Sequence, residues 1–208
     1  MFLILLAAAL LPAQQASMQC TDTGTTTASI QTQPLPGPDG TVVVLKVSSA
    51  DDHSKESHQC SADYQLLIAR DATDVPAVVD LLSSVADYGR TLSMRLDGFS
   101  QNGERLYGIL SEDGRYPSII LFEYDTAAGT VQLVDLKEQF AHIVNRNCST
   151  TFDVIGNTEK GAIVLELNSA NGCAPSSRWL LTSANSRVQP LPPGPTVHSL
   201  NEIKPNAP

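Results

Sequence analysis

Short apolar runs separated by turn residues fill the middle of the chain. Thr41–Val47 (TVVVLKV), Tyr64–Ala69, Arg105–Leu110, Ile119–Tyr124, Thr130–Leu136, Ala162–Leu167 and Arg178–Leu181 are strand-length and rich in β-branched or aromatic residues. Such runs, bounded by Gly, Asn, Asp and Ser, predict an all-β fold. Helical periodicity is scarce. Lys137–Asn145 (KEQFAHIVN) reads as two turns with Phe140, Ile143 and Val144 on one face. Asp74 could cap a helix over Pro76–Tyr88, but a repeat makes Ala77–Leu81 a strand instead. Val79-Asp80-Leu81 recurs as Val134-Asp135-Leu136, and Val131-Gln132-Leu133 is echoed by Val188-Gln189-Pro190-Leu191.

The repeat frames the chain as about three copies of a meander of three or four antiparallel strands, at about 38–82, 98–137 and 148–192. A turn precedes a strand in each: Asp39-Gly40, Asn102-Gly103 and Thr158–Gly161. Asp-Gly and Asn-Gly suit a type I′ hairpin turn, which needs positive φ at both central positions. Gly40, Asn102 and Gly103 are therefore the expected turn residues. Copy one carries an insertion, Ser48 to Gln59.

Residues 98–136 read GFSQNGERLYGILSEDGRYPSIILFEYDTAAGTVQLVDL. Ser100, Asn102, Gly103, Arg105, Asp125 and Gly129 fall where the repeat of TolB-like, WD-repeat-like β-propellers has its turn, basic residue, strand-ending Asp and Gly turn. The stretch resembles that repeat, with Gln101 in place of its Pro and Asn102 in place of its Asp. The resemblance implies a propeller-like fold. Three copies are fewer than a closed propeller's four blades, so a β-sandwich or an open barrel is the alternative.

The flanks differ. Met1–Ala13 (MFLILLAAALLPA) is an uncharged apolar run, too short for a bilayer's ~30 Å core as a helix. It suits a secretory signal peptide over residues 1–16, with Ala13 and Ala16 as small residues for cleavage. Gln19 is not the small residue that a lipidated Cys20 needs before it. Residues 17–40, rich in Thr, Pro and Gly, read as a linker or N-terminal arm. Residues 41–192 read as one all-β domain and 193–208 as a Pro-rich tail. In that tail Thr196–Ile203 is a candidate edge strand.

Four cysteines, Cys20, Cys60, Cys148 and Cys173, suit two disulfides in an exported chain, periplasmic or secreted. Three connectivities are open. Cys20–Cys60 with Cys148–Cys173 closes the most local loops. The formal net charge of −9, with 13 Lys and Arg against 22 Asp and Glu, excludes a nucleic-acid binder of the counterion-releasing kind. No membrane insertion of the mature chain is expected, and no cofactor.

Candidate chemistry is sparse. Asp51, His53 and His58 share an acidic, His-bearing loop that could ligate a metal, although histidines five apart do not share a helical face. Glu123 and Asp125, two apart on a strand, point to one face and form a candidate carboxylate pair. Their bland reading is a solvated strand end plus the Asp of the repeat. Ser100 lies in a Gly-x-Ser context that the turn explains better than a nucleophile elbow. Trp179, Tyr107 and Phe122 read as core. These residues leave enzymatic activity open. They favour an exported recognition or scaffold module whose partner is a protein or an envelope polymer. A hydrolase, or hydrolase-accessory domain, acting on extracellular polymer is the alternative.

Overall fold

The structure is a computed structural model that describes residues 14–20, 27–51, 59–70, 74–113, 117–145, 148–169, 173–174, 177–182 and 187–200. The strands are β1 (Gln14–Gln19), β2 (Ala28–Gln31), β3 (Leu35–Pro36), β4 (Val42–Asp51), β5 (Gln59–Ala69), β6 (Ala77–Asp87), β7 (Thr91–Phe99), β8 (Arg105–Glu112), β9 (Ser118–Asp125) and β10 (Thr130–Asp135). After the short helix α1 (Leu136–Gln139) come β11 (Thr150–Thr158), β12 (Ile163–Ser169), β13 (Ser177–Thr182), β14 (Arg187–Pro190) and β15 (Val197–Ser199).

Among the described residues they form three antiparallel sheets and no closed barrel. The first runs β2-β4-β5-β6 with β3 also on β4; the second runs β1-β7-β8-β9-β10; the third runs β14-β13-β12-β11-β15. Each is built on a meander of consecutive strands. The second sheet is the middle layer. Leu106 and Leu110 of β8 join the core shared with the first sheet, among Leu45, Tyr64, Leu66 and Phe99. Tyr107 and Ile109 of the same strand join the core shared with the third, among Phe140, Phe152, Leu165 and Leu181. Both faces of β8 are covered, which is why it reads as a nearly unbroken apolar run.

Two meander strands were not visible as apolar runs. β7 (TLSMRLDGF) and β11 (TTFDVIGNT) alternate polar with apolar residues, so each turns its apolar side chains to one face. Of the insertion Ser48–Gln59, the residues Ser48–Asp51 and Gln59 belong to β4 and β5, which pair in register from Val42↔Ala69 to Asp51↔Cys60; residues 52–58 lie outside the described residues. The predicted two-turn helix shrinks to Leu136–Gln139, capped by the Asp135 carboxylate on the Glu138 amide at 3.0 Å. Phe140 beyond it is buried while Ile143 is exposed, so the two do not share a buried face.

The turns separate two chemistries. Asp39 (φ 56°) and Gly40 (φ 78°) both take positive φ, and the Thr41 amide donates to Pro38 O at 3.1 Å, as a type I′ turn requires. At Asn102-Gly103 only Gly103 is left-handed (φ 73°). There the Gly103 amide donates to Ser100 O at 2.8 Å, and Asn102 Oδ1 accepts from the Ser100 hydroxyl (2.7 Å) and the Glu104 amide (3.2 Å). The Asn side chain, not its backbone, shapes that loop, so the I′ expectation fails there. The β11–β12 turn repeats the pattern: Gly161 N donates to Thr158 O at 2.8 Å and Ala162 N to Thr158 Oγ1 at 3.2 Å.

Both disulfides pair locally, Cys20–Cys60 and Cys148–Cys173, with Cα separations of 6.0 and 5.8 Å. The first ties the end of β1, a strand of the second sheet, to β5 of the first. The stretch expected to be a linker supplies β2, β3 and the second half of β1. The Pro-rich end also has a structural role. β14 and β15 lie on opposite edges of the third sheet, four strand spacings apart, or about 19 Å. The seven residue steps from Pro190 to Val197 reach about 25 Å at full extension. The segment therefore crosses the sheet as an extended strap, with Leu191 and Val197 packed against Ala162, Val164 and Leu180. β15 then pairs with β11 through Gly156↔Ser199 to Thr158↔Val197, as an edge strand.

Candidate functional site

Strand register brings the carboxylate pair to one cation. Arg105 stands opposite Asp125, and Tyr107 opposite Glu123, in the β8–β9 ladder. The Arg105 guanidinium reaches Glu123 Oε1 at 2.5 Å through Nη1 and Asp125 Oδ2 at 3.3 Å through Nη2. Burial pushes the Glu123 carboxyl up from its ordinary range, and Arg105 opposes that shift. The Asp125 carboxyl is pulled down, first by the Ala128 amide at 2.8 Å; the Ala127 amide at 3.0 Å adds to it. Asp125 thus closes the β9–β10 turn. Both carboxylates do lie on one face, as the two-residue spacing predicts. The arrangement they form is an ion-pair ladder centred on Arg105. Both carboxylates are engaged by Arg105.

The other sequence candidates disperse. Asp51 ends β4, and His53 and His58 lie outside the described residues. Among the described residues no group of three or more His, Cys, Asp or Glu converges on a metal-sized site. Ser100 is buried, and its Oγ accepts from the Arg105 amide at 3.0 Å, which is a turn role. Trp179 is half-buried; its indole N–H donates to Ser177 Oγ at 2.8 Å and its ring meets Phe140 edge-on at 5.4 Å. His142 is exposed on the turns after α1.

A cavity among the described residues lies where no candidate was expected. A groove of about 630 Å³ runs along the outer face of the third sheet. Its floor includes Ala162 and Leu180. One wall is the Glu159–Gly161 turn, and the other is the strap at Pro192 and Pro195. Thr182 and Gln189 place polar groups along it. It exists because the strap must cross from one sheet edge to the other. Proline holds φ near −65° and lacks an N–H, so Pro192 and Pro195 cannot donate to the ladder, although the Leu191 amide before them still donates to Arg178 O at 2.9 Å. The sequence signal was the proline density, which reads as a tail until both strand edges are known.

A second polar cluster joins the second and third sheets. Arg95 of β7 contacts Asp97 Oδ1 through Nε at 2.5 Å, Asp153 Oδ1 of β11 through Nη1 at 2.9 Å, and the Phe152 carbonyl through Nη2 at 2.8 Å. Asp97 and Asp153 are 56 residues apart, and no local motif announces them.

No family model, curated protein or solved structure matches the chain. The fold and the geometry of its surfaces are therefore the grounds for a functional reading. Among the described residues no helix is long and apolar enough to cross a membrane.

Proposed function

We propose that this chain is a non-catalytic recognition or scaffold module that works outside the cytoplasm, and that it holds its partner, a protein or an envelope polymer, in the groove beneath the proline strap. The observation that carries the reading is that groove: an apolar floor with polar rims, open along a rigid sheet, in a chain whose carboxylate pair is engaged by Arg105. Ligand sites are commonly concave and mostly apolar, with a few polar groups that fix orientation. Export is supported by the uncharged apolar start of the chain and by two disulfides, bonds that persist in oxidising compartments. Removal of the leader after Ala13 leaves β1 whole, whereas removal after Ala16 takes three of its six residues. The TolB-like, WD-repeat-like resemblance is kept here as a proposal about ancestry, in keeping with the serial meanders.

The test is differential capture from the native extracellular fluid or periplasm. Gln189→Trp fills the groove from an exposed position. Ser29→Trp adds the same bulk on the outer face of the first sheet. The wild type and Ser29→Trp are expected to retain a common partner that Gln189→Trp loses. Equal retention by all three overturns the assignment of the groove.

A further inference from the structure

We propose that Asp97 is a proton-operated latch between the second and third sheets: protonated, it lets the joint close tightly, and ionised, it loosens it. This inference is independent of the groove.

The geometry rests on a charge imbalance. One guanidinium, Arg95, answers two carboxylates, Asp97 and Asp153. The two acids are not equally placed. The Asp153 side chain is 43% exposed and also accepts from Asn168 Nδ2 at 3.2 Å. The Asp97 side chain is only 7% exposed, and its Oδ2 is buried without a hydrogen-bond partner. Asp97 occupies the bulge of β7, where the register against β8 slips between Leu96 and Gly98, so it is fixed by the ladder on both sides. When both acids ionise, the surplus negative charge falls on the group that water reaches least.

Among the described residues, the charged groups that act on Asp97 are Arg95 from its own strand and Asp153 from β11. Tyr107, which β8 turns toward the third sheet, stays protonated because burial raises its phenol further. β1 sets only Gln15, which does not titrate, opposite Arg95. Burial pushes the Asp97 carboxyl up from 3.8 to about 6, and Asp153 adds to the rise while Arg95 opposes it. The folded protein therefore binds this proton about a hundredfold more tightly than the unfolded chain does. Stability from this group is complete below about pH 3.8 and is lost as pH rises through about 6.

Trp179 supplies the readout, because it is the single tryptophan and packs, half-buried, against the core between these two sheets. In full-length protein titrated from pH 4.5 to 8, Trp179 emission should change with a midpoint near pH 6, while the thermal midpoint should fall as pH rises toward that value and level off above it. Asp97→Asn should abolish that step and hold both signals at their acidic values. Asp153→Asn should move the step to lower pH, since it removes the like charge. Carboxyl carbon NMR of the unmutated protein reads the same group without any substitution. An Asp97 midpoint near 3.8, or an unchanged fluorescence step in a folded Asp97→Asn protein, overturns the latch.

Discussion

Replacing Arg105 by methionine keeps most of the side chain's length and apolar stem but removes the charge that faces Glu123 and Asp125. Glu123 has only 9% of its side chain exposed, so the carboxylate left behind cannot recover full hydration. Removing one partner of a fully buried ion pair costs about 3–5 kcal/mol. The Arg105 side chain is 37% exposed, and solvent screening of that end reduces the expected cost to about 1–3 kcal/mol. The deficit should depend on pH in a definite direction. Burial already raises the folded Glu123 carboxyl above 4.5, and Arg105 is what restrains it. Without Arg105 the folded value rises further while the unfolded value does not move. Stability is then lost as pH climbs from about 4.5 through that higher folded value, and it returns on acidification as Glu123 takes up its proton. Urea unfolding at pH 7.5 and pH 4.5, on the wild type, Arg105→Met, Glu123→Gln and the double variant, measures this directly. The double variant should recover much of the single-variant loss at pH 7.5, because a neutral amide tolerates the missing guanidinium. An Arg105→Met penalty below about 0.5 kcal/mol at pH 7.5 would place the pair among surface ion pairs of no consequence. A penalty equal at both pH values would show that packing, rather than charge, was lost.

Two further outcomes follow from packing and topology. Gly108→Ala would drive a Cβ into the Arg95 carbonyl and the Phe122 ring; the expected loss is about 1–3 kcal/mol or more, read by thermal or urea melting, and a neutral result would mean that β7 and β8 can separate at the bulge. Paired Cys→Ser replacement should cost up to about 4 kcal/mol at Cys20–Cys60 and about 3.5 kcal/mol at Cys148–Cys173, following their sequence separations of 40 and 25. Only the first should speed hydrogen exchange in β1, because it alone fastens that strand to the first sheet.

The alternating and β-branched patterns carried most of the architecture. A strand that packs on one or two sheets must place its apolar residues at fixed spacing, so β4, β8, β9, β12 and β13 were legible as runs. β7 was equally encoded, as strict alternation from Leu92 through Met94 to Leu96, but its Arg and Asp interrupt any apolar run. The spacing of Glu123 and Asp125 correctly put both on one face. What it lacked was the partner strand: Arg105 becomes their shared cation only once β8 and β9 are in register.

The remaining features belong to the tertiary structure. Asp97 and Asp153 meet because β7 and β11 lie in neighbouring sheets, a distance in sequence that no local pattern spans. The proline-rich end becomes a strap, and creates a groove, because β14 and β15 occupy opposite edges of one sheet. Local sequence sets which residues can form a strand or a turn, through backbone sterics and the burial of alternate side chains. The order in which strands assemble, and hence which charges and surfaces face one another, is decided by the packing of the whole chain.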